Sequence, residues 1–170
     1  VITQENYTIR AQKIVFCTGF ESLNLLKEKV ADLIYTYATV SEPTQTYNKN
    51  LENILIWDTQ DPYLYMRTTD DGRFLVGGED SVYKDTILQQ NIKEEKSKTL
   101  IKKLKKTLPD LDFIEDISWG GIFGTTKDGL PYIGESPEYK NCLFCLGFGG
   151  NGITFSAQGR KIIVDLLQKK

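Results

Sequence analysis

Histidine is absent from all 170 positions of the chain. That removes a histidine general base, a Ser-His-Asp triad and a histidine metal ligand in one step. Cysteine is scarce, with Cys17, Cys142 and Cys145 alone. The last two form a C-x-x-C, but they lie in the apolar run "CLFCL", where strand alternation puts positions three apart on opposite faces. With no second cysteine pair to complete a zinc site, they are read as small buried hydrophobes and no metal is expected. No apolar run approaches the roughly 18 residues that span a bilayer, and no signal peptide opens the chain. A formal net charge of −2 and a pI near 5.3 give no footing for nucleic acid or an anionic membrane. The expectation is a soluble, cytoplasmic protein. Its hydrophobic fraction of 40% is high enough for a packed core. The first residue, Val1, already sits in a strand-like run, which suggests a fragment, a processed chain or a trimmed one.

The patterns that are present read as mainly antiparallel. "VITQENYTIRAQKIVFCTGF" gives a hairpin, Val1–Gln4 with Tyr7–Arg10, and then a buried strand, Lys13–Cys17. A turn at Thr18–Gly19 leads to a short helix near Ser22. "ADLIYTYATVSE" is a β-rich run closed by Pro43, and the polar loop "TQTYNKN" follows. "ILIWD" and "YLYMRTTDDGRFLVGG" supply three strands, the last two joined by a turn at Asp70–Gly72. From Asp85 to Thr107 the spacing of Ile87, Leu88, Ile92, Leu100, Ile101 and Leu104 predicts one amphipathic helix, stopped by Pro109, with the lysines of 102–106 on its solvated face. "DFIEDISWGGIFGTTKDGLPYIG" is a long strand, a turn at Asp128–Gly129 and a short strand. Asn141 to Lys170 supplies a last strand and helix.

That last segment, "NCLFCLGFGGNGITFSAQGRKIIVDLL", carries Gly147, Gly149 and Gly152 at the spacing of a dinucleotide fingerprint. The fingerprint needs a second parallel strand after the helix and an acid about 20 residues on. Here the helix pattern continues to the end and Asp165 lies within it, so the match fails its context. Two readings of the glycines stay open. They pack helix against strand, or they bare backbone N–H groups at a helix start that suits an anionic or electron-rich group. Tyr63, Tyr65 and Arg67 alternate onto one strand face, and Trp119 and Phe123 share a face of another. They line a pocket or are ordinary sheet packing. Arg67 either pairs with Asp70, Asp71 or Glu79 to fix its own hairpin or meets a substrate.

Four motifs in order, "TIRAQKIVFCTGF", "YLYMRTTDDGRFLVGGED", "WGGIFGTTKDGLPYIGESPEYKNCLFCLG" and "GFGGNGITFSAQGRKIIVDLL", resemble the C-terminal part of FAD-dependent oxidoreductases of the D-amino-acid oxidase and glycine oxidase type. The resemblance covers essentially the whole chain. It implies an α+β fold: an antiparallel substrate-domain sheet over 31–137 with a helix packed on it, and a remnant of the FAD domain made from 1–30 and 138–170. It implies that Thr18, Gly19, Gly149, Gly150, Asn151, Gly152, Ile153 and Thr154 lie at the flavin, and that Tyr65, Arg67, Trp119 and Phe123 face an amine or amino-acid substrate that loses hydride to it. No catalytic side chain is implied. Where glycine oxidase-like members carry a carboxylate-binding arginine, this chain has Phe123, and where they carry an arginine before the Asn-Gly of the flavin loop it has Gly150. Both departures lean toward amine substrates. The family's pyrophosphate-binding glycines belong to an N-terminal segment that the resemblance places before this chain. FAD is therefore expected in the parent protein and not on this chain alone. One helix end contributes on the order of 1 kcal/mol toward an anion, where micromolar binding needs about 8. The alternative is a self-standing binding or structural module without cofactor chemistry.

Overall fold

The computed structural model describes residues 1–44 and 51–168. All but the first residue of the expected loop "TQTYNKN" lies outside them. The described chain divides into two compact units, one of residues 1–33 and 123–170, the other of residues 34–122.

The second unit is built on a five-stranded sheet ordered β3-β4-β5-β2-β6. Its strands are β2 (Ala31–Ser41), β3 (Leu55–Trp57), β4 (Leu64–Thr68), β5 (Phe74–Val82) and β6 (Glu115–Thr126). The strands β2 and β6 run on into the other unit. Antiparallel pairing of β4 with β5 follows from the turn before Phe74, where Gly72 has φ +78°. Only glycine takes that conformation without strain.

The residues from Asp85 to Thr107 form two helices rather than the one expected: α1 (Thr86–Asn91) and α2 (Lys93–Thr107). Asp85 caps α1 by accepting from the N–H groups of Ile87 at 2.8 Å and Leu88 at 3.1 Å. Each helix is held by a different anchor. In α1, the buried Gln89 accepts from the Tyr37 hydroxyl and donates to the Val82 carbonyl at 3.3 Å. In α2, Leu100 and Leu104 sit one turn apart with no exposed surface, packed on Tyr37, Leu64, Met66, Phe74 and Val76. The chain turns at Ile92 (φ −91°, ψ 0°) between the two anchors. Glu94 and Glu95 in the first turn of α2 and Lys105 and Lys106 in its last suit the helix dipole.

Lys103 departs from the solvated face assigned to it. With Lys96 it reaches Glu79, whose side chain is 9% exposed, and the Lys96 ion pair measures 3.2 Å. Glu79 is itself unusual, a non-glycine residue at φ +55°.

In the first unit, β1 (Ile14–Phe16) pairs in parallel with β8 (Cys142–Leu146), which pairs antiparallel with β7 (Tyr132–Glu135). The expected N-terminal hairpin forms as a short pairing: Val1 and Ile9 exchange N–H···O bonds at 2.9 Å, the Thr3 N–H donates to the Tyr7 carbonyl at 3.0 Å, and Ile2 bridges Thr8 between them. The expected helix at Ser22 is a 3-10 helix, Gly19–Leu25. The closing helix, α3 (Gly152–Gln168), lays Gly159 against β8 so closely that a Cβ there would come within 2.8 Å of the Cys145 sulfur. Cys145 is buried, Cys142 half-buried and Cys17 exposed. The thiol neighbour of Cys145 is Cys17, across the β1–β8 pairing, rather than Cys142. Burial, then Cys17, pushes the Cys145 thiol up. Among the described residues no helix is long and apolar enough to cross a membrane, and no group of acids and cysteines could hold a metal.

Candidate functional site

The glycine-rich loop sits at the carboxyl end of β8, and the Thr18–Gly19 turn sits at the carboxyl end of its parallel neighbour β1. Ligands of open α/β sheets bind at such ends. Each glycine has a separate reason. Gly147, at φ +78°, lies where a Cβ would come within 2.6 Å of the Thr126 methyl. Gly149, at φ +53°, donates its N–H to the Gly124 carbonyl at 3.0 Å, and a bridge between Thr125 and Phe148 ties the loop to β6. Asn151 closes the turn through its N–H to the Phe148 carbonyl at 3.1 Å. Phe148 and Phe155 pack beneath it, with ring centroids 6.2 Å apart.

Above this pinned base the loop is open. A Cβ added at Gly150 or Gly152 would meet nothing within 4 Å. Ile153, in the first turn of α3, is 92% exposed. The result is an open backbone cradle with an uncovered aliphatic side chain and the first-turn N–H groups of a 17-residue helix. It suits a planar ring with an electron-rich edge, because the glycines permit close approach and the helix end favours negative charge. Of the residues read as flavin-facing, Gly149, Gly150, Asn151, Gly152, Ile153 and Thr154 are consecutive in this cradle. Thr18 and Gly19 belong to the turn after β1. Gly19 has φ +60°, and Thr18 shares a 2.7 Å hydrogen bond with Ser22.

The other unit has a second candidate surface, on the sheet face opposite α2. Leu64 and Met66 point into the α2 core, so Tyr65 and Arg67 point the other way. In register, Tyr65 stands between Trp57 and Gly77. The Tyr65 ring lies over Gly77, where any Cβ would collide with it. Tyr63 stacks on Tyr65 with centroids 6.1 Å apart. Burial, then the neighbouring Asp80 carboxylate, pushes the Tyr63 hydroxyl up to about 12. Tyr65 moves the same way by burial and Asp80, opposed by Arg67.

Arg67 does not fix its own hairpin through an acid. Asp71 is held at 2.7 Å by Arg73, which also reaches Asp116, and Glu79 is taken by Lys96 and Lys103. Arg67 donates to the Thr68 carbonyl at 3.2 Å and has no ion pair among the described residues. Trp119 is 43% exposed and occupies the alternate position to Gly120, whose side of β6 meets Tyr35. Phe123 is half-buried and falls in the other unit. Sequence periodicity hides Asp80. A period-2 pattern carried along "FLVGGEDSV" misplaces it, because the positive φ at Glu79 resets the alternation.

The chain matches the family described as FAD dependent oxidoreductase over residues 1–166. It is 26% identical over 167 residues to a glycine oxidase of Bacillus licheniformis, covering 98% of this chain and 44% of that protein. The solved iminodiacetate oxidase of Chelativorans sp. BNC1 superposes with a TM-score of 0.79 at 13% identity, over 98% of this chain and 45% of that one. The fructosyl peptide oxidase of E. terrenum gives 0.76 at 16% identity, over 99% and 44%. These solved structures share the fold. The chain spans less than half the length of each of these relatives.

Proposed function

The chain belongs to the FAD-dependent oxidoreductase family of the D-amino-acid oxidase type, and from that membership we propose that the protein carrying it oxidises an amine or amino acid. The observation that carries the reading is the open cradle of Gly149–Thr154 at the carboxyl end of a parallel strand pair. It fits the group the family name requires: bare backbone for a flat ring, Ile153 to lie against it and a helix N-terminus for its electron-rich edge. Bound FAD would supply the acceptor for a hydride from the carbon bearing the amine. The chain's own residues would position and desolvate. Gly149, Gly150, Asn151, Gly152, Ile153 and Thr154, with Thr18 and Gly19, hold the ring system. Tyr65, Arg67 and Trp119 belong to the substrate side, where aromatic surface orients the amine and excludes water. No side chain has to take a proton, in keeping with the absence of histidine.

Anaerobic mixing of the full-length, flavin-loaded protein with a panel of amino acids and amines tests this. Bleaching of the flavin absorbance by at least one of them is expected. A flavin that no amine reduces overturns the reading. Titrating FAD into the 170-residue chain alone should give no stoichiometric micromolar quenching of flavin fluorescence.

A further inference from the structure

Two buried side-chain oxygens among the described residues have no hydrogen-bond partner, Thr36 Oγ1 and Asp80 Oδ1. They fall at one place. In the β2–β5 register Tyr35 faces Ser81 and Tyr37 faces Gly78, so Thr36 alone stands opposite Glu79 and Asp80 in a β-bulge. Glu79 turns its carboxylate to the lysines of α2. Asp80 goes the other way, beside Tyr63 and Tyr65, where the Tyr63 hydroxyl donates to its carboxylate and Oδ1 is left without a donor. Tyr35 and Tyr37 both belong to the α2-side core, so alternation puts Thr36 on the face opposite α2 with Asp80.

A buried carboxylate oxygen without a donor calls for a partner the protein does not itself supply. What would satisfy this site is a compact cation with several N–H donors. Asp80 offers the charge, Thr36 a second acceptor, and the stacked Tyr63 and Tyr65 rings offer aromatic surface. One carboxylate is too few for a metal ion. Gly77 keeps the Tyr65 ring flat on the sheet beside it.

We propose that Thr36, Tyr63, Tyr65 and Asp80 form an ammonium-binding subsite, and that the substrate carries a protonated amino group in addition to the amine that is oxidised. The second half rests on the oxidoreductase reading above. An amine must be neutral to give up hydride, whereas a carboxylate contact keeps its partner protonated. The nitrogen at Asp80 is therefore a different one. The substrate class is diamines, or amino acids with a basic side chain.

The test uses full-length, flavin-loaded protein, with 1,4-diaminobutane against the near-isosteric 1-aminopentane. A charge-assisted hydrogen bond of this kind corresponds to about 10- to 100-fold in affinity. The diamine should lead in kcat/KM by that factor, and Asp80→Asn should collapse the lead mainly through KM, with Asp80→Glu recovering part of it. A second readout is independent of turnover. Butylammonium chloride should perturb tyrosine and tryptophan fluorescence saturably while 1-pentanol does not, and Asp80→Asn or Tyr63→Leu should weaken that binding. If no amine bleaches the flavin but butylammonium binds through Asp80, the oxidoreductase reading falls and the subsite stands. If Asp80→Asn leaves both the diamine preference and butylammonium binding unchanged, or if the pentylamine is preferred, the subsite is overturned.

Discussion

Replacing Glu79 with glutamine should destabilise the α2-packed unit by about 2–3 kcal/mol at neutral pH. The Glu79 side chain is 9% exposed, with Lys96 and Lys103 at 25% and 30%. Glutamine keeps the shape and leaves two ammonium groups facing an amide. Removing one partner of a buried ion pair costs about 3–5 kcal/mol. The lysines are exposed enough to swing part of the way into water, which lowers the figure. With an m-value of about 2 kcal/mol per molar urea, the midpoint should fall by about 1–1.5 M. Trp57 and Trp119, the two tryptophans of the chain, both lie in residues 34–122, so their fluorescence reports this unit. Acid supplies an internal control. Burial pushes the Glu79 carboxyl up, but hydrogen bonds and charge from Lys103 and Lys96 outweigh it and hold the pKa below the usual value. The stabilisation is therefore complete above the unfolded pKa of about 4.3 and is lost as pH falls through the lower folded one. The gap between wild type and Glu79→Gln should be full at pH 7 and close at acid pH. An unchanged midpoint at pH 7, or a gap that does not narrow as the pH is lowered below about 4.3, refutes the reasoning.

Other substitutions probe single contacts. Gly159→Val should cost about 2 kcal/mol, because its Cβ would press on the Cys145 sulfur; Cys145→Ala should recover part of that loss in a double-mutant cycle of thermal melts. Asp85→Ala removes the two hydrogen bonds that cap α1 and should cost about 1 kcal/mol by urea titration. Brief alkylation of the native chain at pH 8 should label the exposed Cys17 and spare Cys145, whose thiol is buried and pushed up, as read by peptide mass mapping. Gly150→Ala, whose Cβ meets nothing within 4 Å, should leave stability nearly unchanged while weakening FAD retention in the full-length protein, as measured by the flavin absorbance that survives gel filtration.

The order of strands and helices, the α+β class and the family were legible in the sequence because each rests on local signals. Alternation in "YLYMRT", the Asp-Gly turns, and the stop at Pro109 all act within a few residues. The glycine-rich turn before the last helix was legible for the same reason, while its two uses, packing helix on strand or baring N–H groups to a ligand, stayed open.

What tertiary structure decided is non-local. Two anchors, Gln89 on the end of β5 and Leu100 and Leu104 on the sheet, broke one periodic helix into two, although the apolar spacing runs through the break at Ile92. Lys103 belongs to a lysine run that reads as solvated, and only the approach of Glu79 from β5 makes it the half-buried partner of a buried carboxylate. Cys145 found Cys17, far away in sequence, through a parallel pairing. Asp80 and Thr36 meet because the β2–β5 register slips at a bulge. A bulge changes which face every later side chain takes, and it is set by the fit of two strands together, not by either one alone.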